Sequence, residues 1–191
     1  MKIAARKAAK PRRILGIDPG SNVLGYAVLE QRGSARTLVA LGVHRTPARD
    51  THPEKLRSIF DCITGLVAEH APEECAIESP FFGKNVQSML KLGRAQGVAM
   101  AAAIAQGLSV DEYAPKKIKM SVTGSGNASK EQVAEMACSM LAFNRAKIPL
   151  DATDALGAAI CHLNQTRFGQ PSGVSYDGWK SFLERNPERR G

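Results

Sequence analysis

The sequence predicts an α/β fold in which a mixed five-stranded sheet is flanked by helices. Two observations lead to it. Three apolar runs joined by short polar turns fill residues 13–45, the pattern of an antiparallel meander. The rest of the chain alternates helical periods with short strand-like runs, which adds strands in parallel and makes an α/β sandwich around a mixed sheet. A length of 191 residues suits one core with short tails.

Residues 13–18 (RILGID) and 23–30 (VLGYAVLE) read as strands, and Pro-Gly-Ser-Asn between them supplies a tight turn. Residues 36–45 make a third strand. Apolar residues at 56, 59, 60, 63, 66 and 67 recur with helical period over 51–70, with Thr51 placed as the N-cap. ECAIE, residues 74–78, is a short buried strand that ends in an acid, as the first strand does. After a loop holding Pro80, Phe81, Phe82 and Gly83, a long helix runs over residues 85–106. Its Gly93, Gly97, Ala99 and Ala101 to Ala103 give it a face of small side chains, and pattern alone favours packing against its own sheet. Residues 108–114 form the fifth strand, and Pro115 opens a helix that stops at Gly124. Ser129 and Gln132 are spaced as a capping box for the next helix, and residues 150–167 form the last. Residues 1–12 read as a disordered basic arm, 13–169 as the folded domain and 170–191 as a mobile tail.

Twenty-six Lys and Arg against 18 Asp and Glu leave a net charge of +8. That surplus favours a polyanionic partner through counterion release, nucleic acid first. The four cysteines lie far apart, without a C-x-x-C pair, and read as small buried apolar residues of a reducing compartment, hence a cytoplasmic protein. No stretch has the length and apolarity of a membrane span. The basic N-terminus lacks an apolar core segment, so it reads as an arm touching phosphates rather than a targeting peptide.

Against this positive background, carboxylates mark the edges of apolar segments: Asp18, Glu78, and the pair Asp151 and Asp154. Each has an ordinary reading. Asp18 fits an Asp-Pro-Gly turn, Glu78 a strand end, and Asp151 an N-cap of the last helix with Asp154 complementing the dipole. Taken together they point elsewhere. Side chains at neighbouring strand ends project into one crevice, and residues at i and i+3 share a helix face. If that helix starts at the strand ends, four anionic groups converge and need a counter-charge. A hard divalent cation such as Mg²⁺ with oxygen ligands answers that need; the scattered His44, His52, His70 and His162 offer no zinc set. An acidic metal pocket in a basic surface suits phosphodiester hydrolysis.

The segments ILGIDPGSNVLGYAV, AIESPFFGKNVQSMLKLGRAQGVA, YAPKKIKMSVTGSGNASKEQV and DATDALGAAICH resemble, in order and spacing, the RuvC Holliday-junction resolvases over residues 13–168. The resemblance implies a ribonuclease H-like fold and a homodimer. It implies Mg²⁺, two ions per subunit, with Mn²⁺ able to substitute. The implied reaction nicks two opposed strands of a four-way DNA junction symmetrically, leaving 5′-phosphate and 3′-hydroxyl ends. Carried onto this chain, it makes Asp18, Glu78, Asp151 and Asp154 the catalytic metal-binding acids, and Phe81, Lys119 and Lys130 the DNA contacts. It turns the helix at 85–106 into a dimer helix, and it implies branch-migration partners of the RuvA and RuvB type.

Three other readings compete. GID-x-G also occurs in actin-like ATPases and sugar kinases, which bind nucleotide between two such domains; 191 residues leave no room for the second. A non-catalytic junction-binding protein has no use for four acids that repel phosphate. Within the nuclease class, a ribonuclease H-like enzyme acting on RNA–DNA hybrid or RNA is the runner-up.

Overall fold

A computed structural model describes residues 11–80, 85–143 and 148–167. The arm up to Lys10, Phe81 and Phe82 in their loop, and the tail lie outside the described residues. Along the chain run β1 (Arg12–Asp18), β2 (Val23–Arg32), β3 (Ala35–Arg45), α1 (His52–His70), β4 (Glu74–Glu78), α2 (Val86–Ala105), β5 (Ser109–Tyr113), α3 (Pro115–Thr123), α4 (Lys130–Met140) and α5 (Leu150–Arg167). They build one five-stranded sheet in the order β3-β2-β1-β4-β5. β1, β2 and β3 pair antiparallel, whereas β4 lies parallel to both β1 and β5, so the sheet is mixed as the residue pattern predicts.

β1 starts at Arg12, one residue ahead of the boundary expected from sequence. Arg12 pairs with Gln31, and its guanidinium grips the Glu74 carboxylate at the start of β4. The predicted caps form. Thr51 and Glu54 make a capping box at α1, Ser129 and Gln132 make another at α4, and Gly124 ends α3 in the left-handed region at φ 76°. α5 begins at Leu150, so Asp151 lies inside its first turn rather than at its N-cap.

Side chains alternate across the sheet and separate two cores. Ile14, Ala27, Leu29 and Ala76 face α3, α4 and α5. Leu15, Ile17, Val28 and Ile77 face α1 and α2. Every residue from Ala152 to Leu163 is buried, for α5 lies between the sheet and the α3–α4 pair. A helix enclosed on all sides has no solvent-facing polar stripe, which explains its weak amphipathic pattern, and its buried Thr153, Asp154 and His162 each have a hydrogen-bond partner.

The small-residue face of α2 divides in two. Ala95, Ala99, Ala102 and Ala103 are buried within the chain's own core, while Gly93 and Gly97 look outward beside exposed Leu90 and Ile104. The packing against its own sheet that the pattern favours thus holds for the buried alanines. The four cysteines form no disulfide with one another, three of them are buried, and no described helix is long and apolar enough to cross a membrane.

Candidate active site

Asp18 and Glu78 are the last residues of β1 and β4, parallel neighbours whose ends point the same way. By alternation Asp18 shares the face of Ile14 and Glu78 that of Ala76, the face on which α5 lies. Asp151 and Asp154 occupy the opening turns of α5. The fold thus brings together the four acids singled out from sequence, from three elements far apart in the chain.

Their mutual effect is electrostatic. Burial, then the charges of Glu78 and Asp154, push the Asp18 carboxyl up to about 8; Asp151 adds to the same push. Burial and Asp154 push Glu78 up to about 7. Burial also raises Asp154, against the opposing pull of Lys130, with Asp151 adding to the rise. Each carboxylate makes the next harder to ionise.

Two lysines temper this. Lys130, first residue of α4, donates to the Asp154 carboxylate. Burial pulls the Lys130 ammonium down, but the hydrogen bond and the charges of Asp154, Asp18 and Glu78 outweigh it and raise its pKa. Lys119, on α3, lowers Glu78 and Asp154 through its charge. Both lysines line a cleft of ≈ 580 Å³ with Glu78 and Asp154, over an apolar floor that includes Ile118 and Val133. Lys116 and Asn127 share its wall. Sequence reasoning passed over these two, although Lys116 opens the Lys-Lys-Ile-Lys run that contains Lys119. Asp18 and Asp151 are outside the lining of the cleft, yet Asp18 stays within electrostatic reach of Glu78 and Asp154.

A hard divalent cation fits this donor set, because crowded oxygen ligands that cannot all ionise alone can do so around a +2 charge. Among the described residues no three His, Cys, Asp or Glu side chains already stand in a closed grip on one point. The acids face one another across the site with Lys130 among them. Phe81 lies outside the described residues, so its expected contact with DNA has no geometry here.

The chain is similar to known proteins over most of its length. The family described as crossover junction endodeoxyribonuclease RuvC matches residues 14–162. The RuvC protein of Porphyromonas gingivalis is 52% identical over 184 residues, spanning 94% of this chain and 97% of that protein. The RuvC protein of Cytophaga hutchinsonii is 53% identical over 178 residues, spanning 93% and 88%. Among solved structures, Thermus thermophilus RuvC superposes with a TM-score of 0.74 at 31% identity, over 82% of this chain and 96% of that one. The same protein in complex with its Holliday junction substrate also gives a TM-score of 0.74, at 28% identity and with the same coverage of both chains.

Proposed function

This chain belongs to the RuvC family of crossover junction endodeoxyribonucleases, and from that premise we propose how its residues carry the reaction. It is a Holliday-junction resolvase, a hydrolase of recombination and repair. In the proposed mechanism Asp18, Glu78 and Asp154 hold divalent cations at the scissile phosphate, Mg²⁺ with two ions per subunit and Mn²⁺ as a substitute. Asp151, one turn earlier on α5, is the fourth metal-binding acid. Cations held there would supply Lewis acidity, to activate a water for attack on phosphorus and to offset charge on the departing 3′ oxygen. The carboxyl protons held by Asp18 and Glu78 near neutrality leave as the cations bind. Lys119 and Lys130, on the cleft wall, pair with the phosphate oxygens and balance charge in the transition state. The products are a 5′-phosphate and a 3′-hydroxyl. By motif, Phe81 contacts bases near the junction centre.

Two opposed strands are cut because two copies act as a dimer. What supports this is the outward stripe of α2, where Val86, Leu90 and Ile104 are exposed and Gly93 and Gly97 leave room for a second backbone. Branch-migration proteins of the RuvA and RuvB type are the proposed delivery partners.

One observation carries the catalytic reading: carboxylates from β1, β4 and α5 crowd until Asp18 holds its proton to about pH 8. The test is cleavage of a synthetic four-way junction, a linear duplex and an RNA–DNA hybrid, each with and without Mg²⁺. Paired symmetric nicks in the junction alone, dependent on Mg²⁺, are expected. Equal cutting of hybrid, or cutting in excess chelator, rejects the proposal.

A further inference from the structure

We infer that Gly16 and Gly25 are positioning residues for the acid cluster: together they form the seat that sets how closely Asp151 and Asp154 approach Asp18. The inference rests on the reading that these carboxylates hold a divalent cation. Gly25 stands directly opposite Asp18 in the β1–β2 ladder. A Cβ on Gly25 would lie 1.9 Å from the Asp151 carbonyl oxygen, 2.4 Å from its carbon and 3.1 Å from the Ala152 nitrogen. Gly16, one alternation before Asp18 on the same face, repeats the arrangement a turn further along. A Cβ there would lie 2.1 Å from the Ala155 carbonyl oxygen and 3.0 Å from the Ala159 Cβ.

The atoms in the way are helix backbone, and that decides the consequence. A flexible side chain could swing aside, but the Asp151 and Ala155 carbonyls belong to the hydrogen-bonded opening turns of α5, so only the helix can move. Real Cβ contacts do not fall below 3.0 Å, so an alanine at either position lifts this end of α5 by roughly 1 Å. The two lifted residues adjoin the acids: Asp151 itself, and Ala155 next to Asp154. Asp18 and Glu78 stay behind on the sheet.

Mg²⁺ requires near-octahedral oxygen ligands at about 2.0–2.1 Å, whereas Ca²⁺ accepts irregular shells at about 2.3–2.6 Å. A rise of this size therefore penalises Mg²⁺ far more than Ca²⁺. The seat thus tunes the site toward the smaller ion, a role distinct from general stability.

Calorimetric titration of the full-length protein with MgCl₂ and with CaCl₂ tests this. Wild type should bind Mg²⁺ saturably, and Asp18→Asn should abolish that binding; failure of either overturns the cation reading itself. Gly25→Ala and Gly16→Ala should each weaken Mg²⁺ at least about tenfold and Ca²⁺ less than about threefold. Ile63→Ala, in the core on the far side of the sheet, should lower the melting temperature without changing either affinity. Lengthening the retreated acid should restore reach, so Gly25→Ala with Asp151→Glu, or Gly16→Ala with Asp154→Glu, should regain part of the Mg²⁺ affinity. If the glycine variants do not fold, Ala159→Ser wedges the Gly16 contact more gently from the helix side and should show the same Mg²⁺ bias. Folded variants that bind Mg²⁺ as wild type does, or lose Mg²⁺ and Ca²⁺ equally, overturn the positioning role.

Discussion

A carboxyl group that keeps its proton up to about pH 8, as Asp18 does, becomes a ligand only when a cation displaces that proton. Glu78, held up to about 7, behaves likewise. The sign of the pH effect follows. Both folded values lie above the ordinary 3.8 and 4.5, so the native state without cation binds more protons than the unfolded chain between about pH 4 and 8. The stability these two groups contribute is complete below their unfolded values and is lost as pH rises through 7 to 8. Thermal melts in chelator should therefore fall in midpoint from pH 6 to pH 8.5 by more for wild type than for Asp18→Asn. In the same window Mg²⁺ affinity should rise with pH, with about one proton released per site at neutrality; equal heats in buffers of different ionisation enthalpy contradict this. Asp18→Asn should also keep junction binding while cleavage falls by at least about 10²-fold. Native-rate cutting by the purified variant removes Asp18 from the chemistry.

α5 and α2 do different work. α5 carries two of the acids at one end and a buried polar cluster at the other. His162, 2% exposed, has its Nδ1 2.8 Å from the Tyr113 hydroxyl and its Nε2 2.6 Å from Glu74. The Arg12 guanidinium, which holds the Glu74 carboxyl below its usual range, ties the same cluster to β1. The helix is thus fastened to β4 and β5 far from the cleft. His162→Ala removes the imidazole between the buried Tyr113 hydroxyl and the half-buried Glu74 carboxylate and opens a void, at a cost of about 2–4 kcal/mol in chemical denaturation. A loss under about 0.5 kcal/mol shows the cluster to be incidental. α2 instead turns Val86, Leu90, Gly93, Gly97, Ala101 and Ile104 outward at helical spacing. A charge in that stripe, Leu90→Asp, should convert the proposed dimer to monomer by light scattering and leave nicks on the two strands uncoordinated. A variant that stays dimeric moves the interface elsewhere.

At the scale of the molecule, a net charge of +8 goes with a cluster of four acids, so long-range attraction of DNA and local repulsion of its phosphate coexist. Lys119→Ala should flatten the salt dependence of junction binding by about one counterion and slow cleavage. An unchanged slope with an unchanged rate takes Lys119 out of the site. The same scale shows what could be read in advance. The order of elements was legible because its signals are local: the Pro-Gly-Ser-Asn turn, Pro115 and Gly124 around α3, and the Ser129–Gln132 box. Asp18 and Glu78 stood out as candidates because they end apolar runs at strand ends, and Asp151 and Asp154 because their spacing shares a helix face. The His162 cluster was not, since Arg12, Glu74, Tyr113 and His162 share no spacing along the chain. Nor was the division of α2, because alanines that face the core and glycines that face outward look alike in a list.

Periodicity, caps and turn residues therefore determined the secondary structure and its αβ order, since each depends on neighbours within a turn or two, and the acids stood out as candidates at the ends of those elements. The tertiary structure decided how close those acids stand. That distance is set where α5 rests on the bare backbone of Gly16 and Gly25, a contact between residues more than 120 positions apart, visible only once the chain has closed on itself.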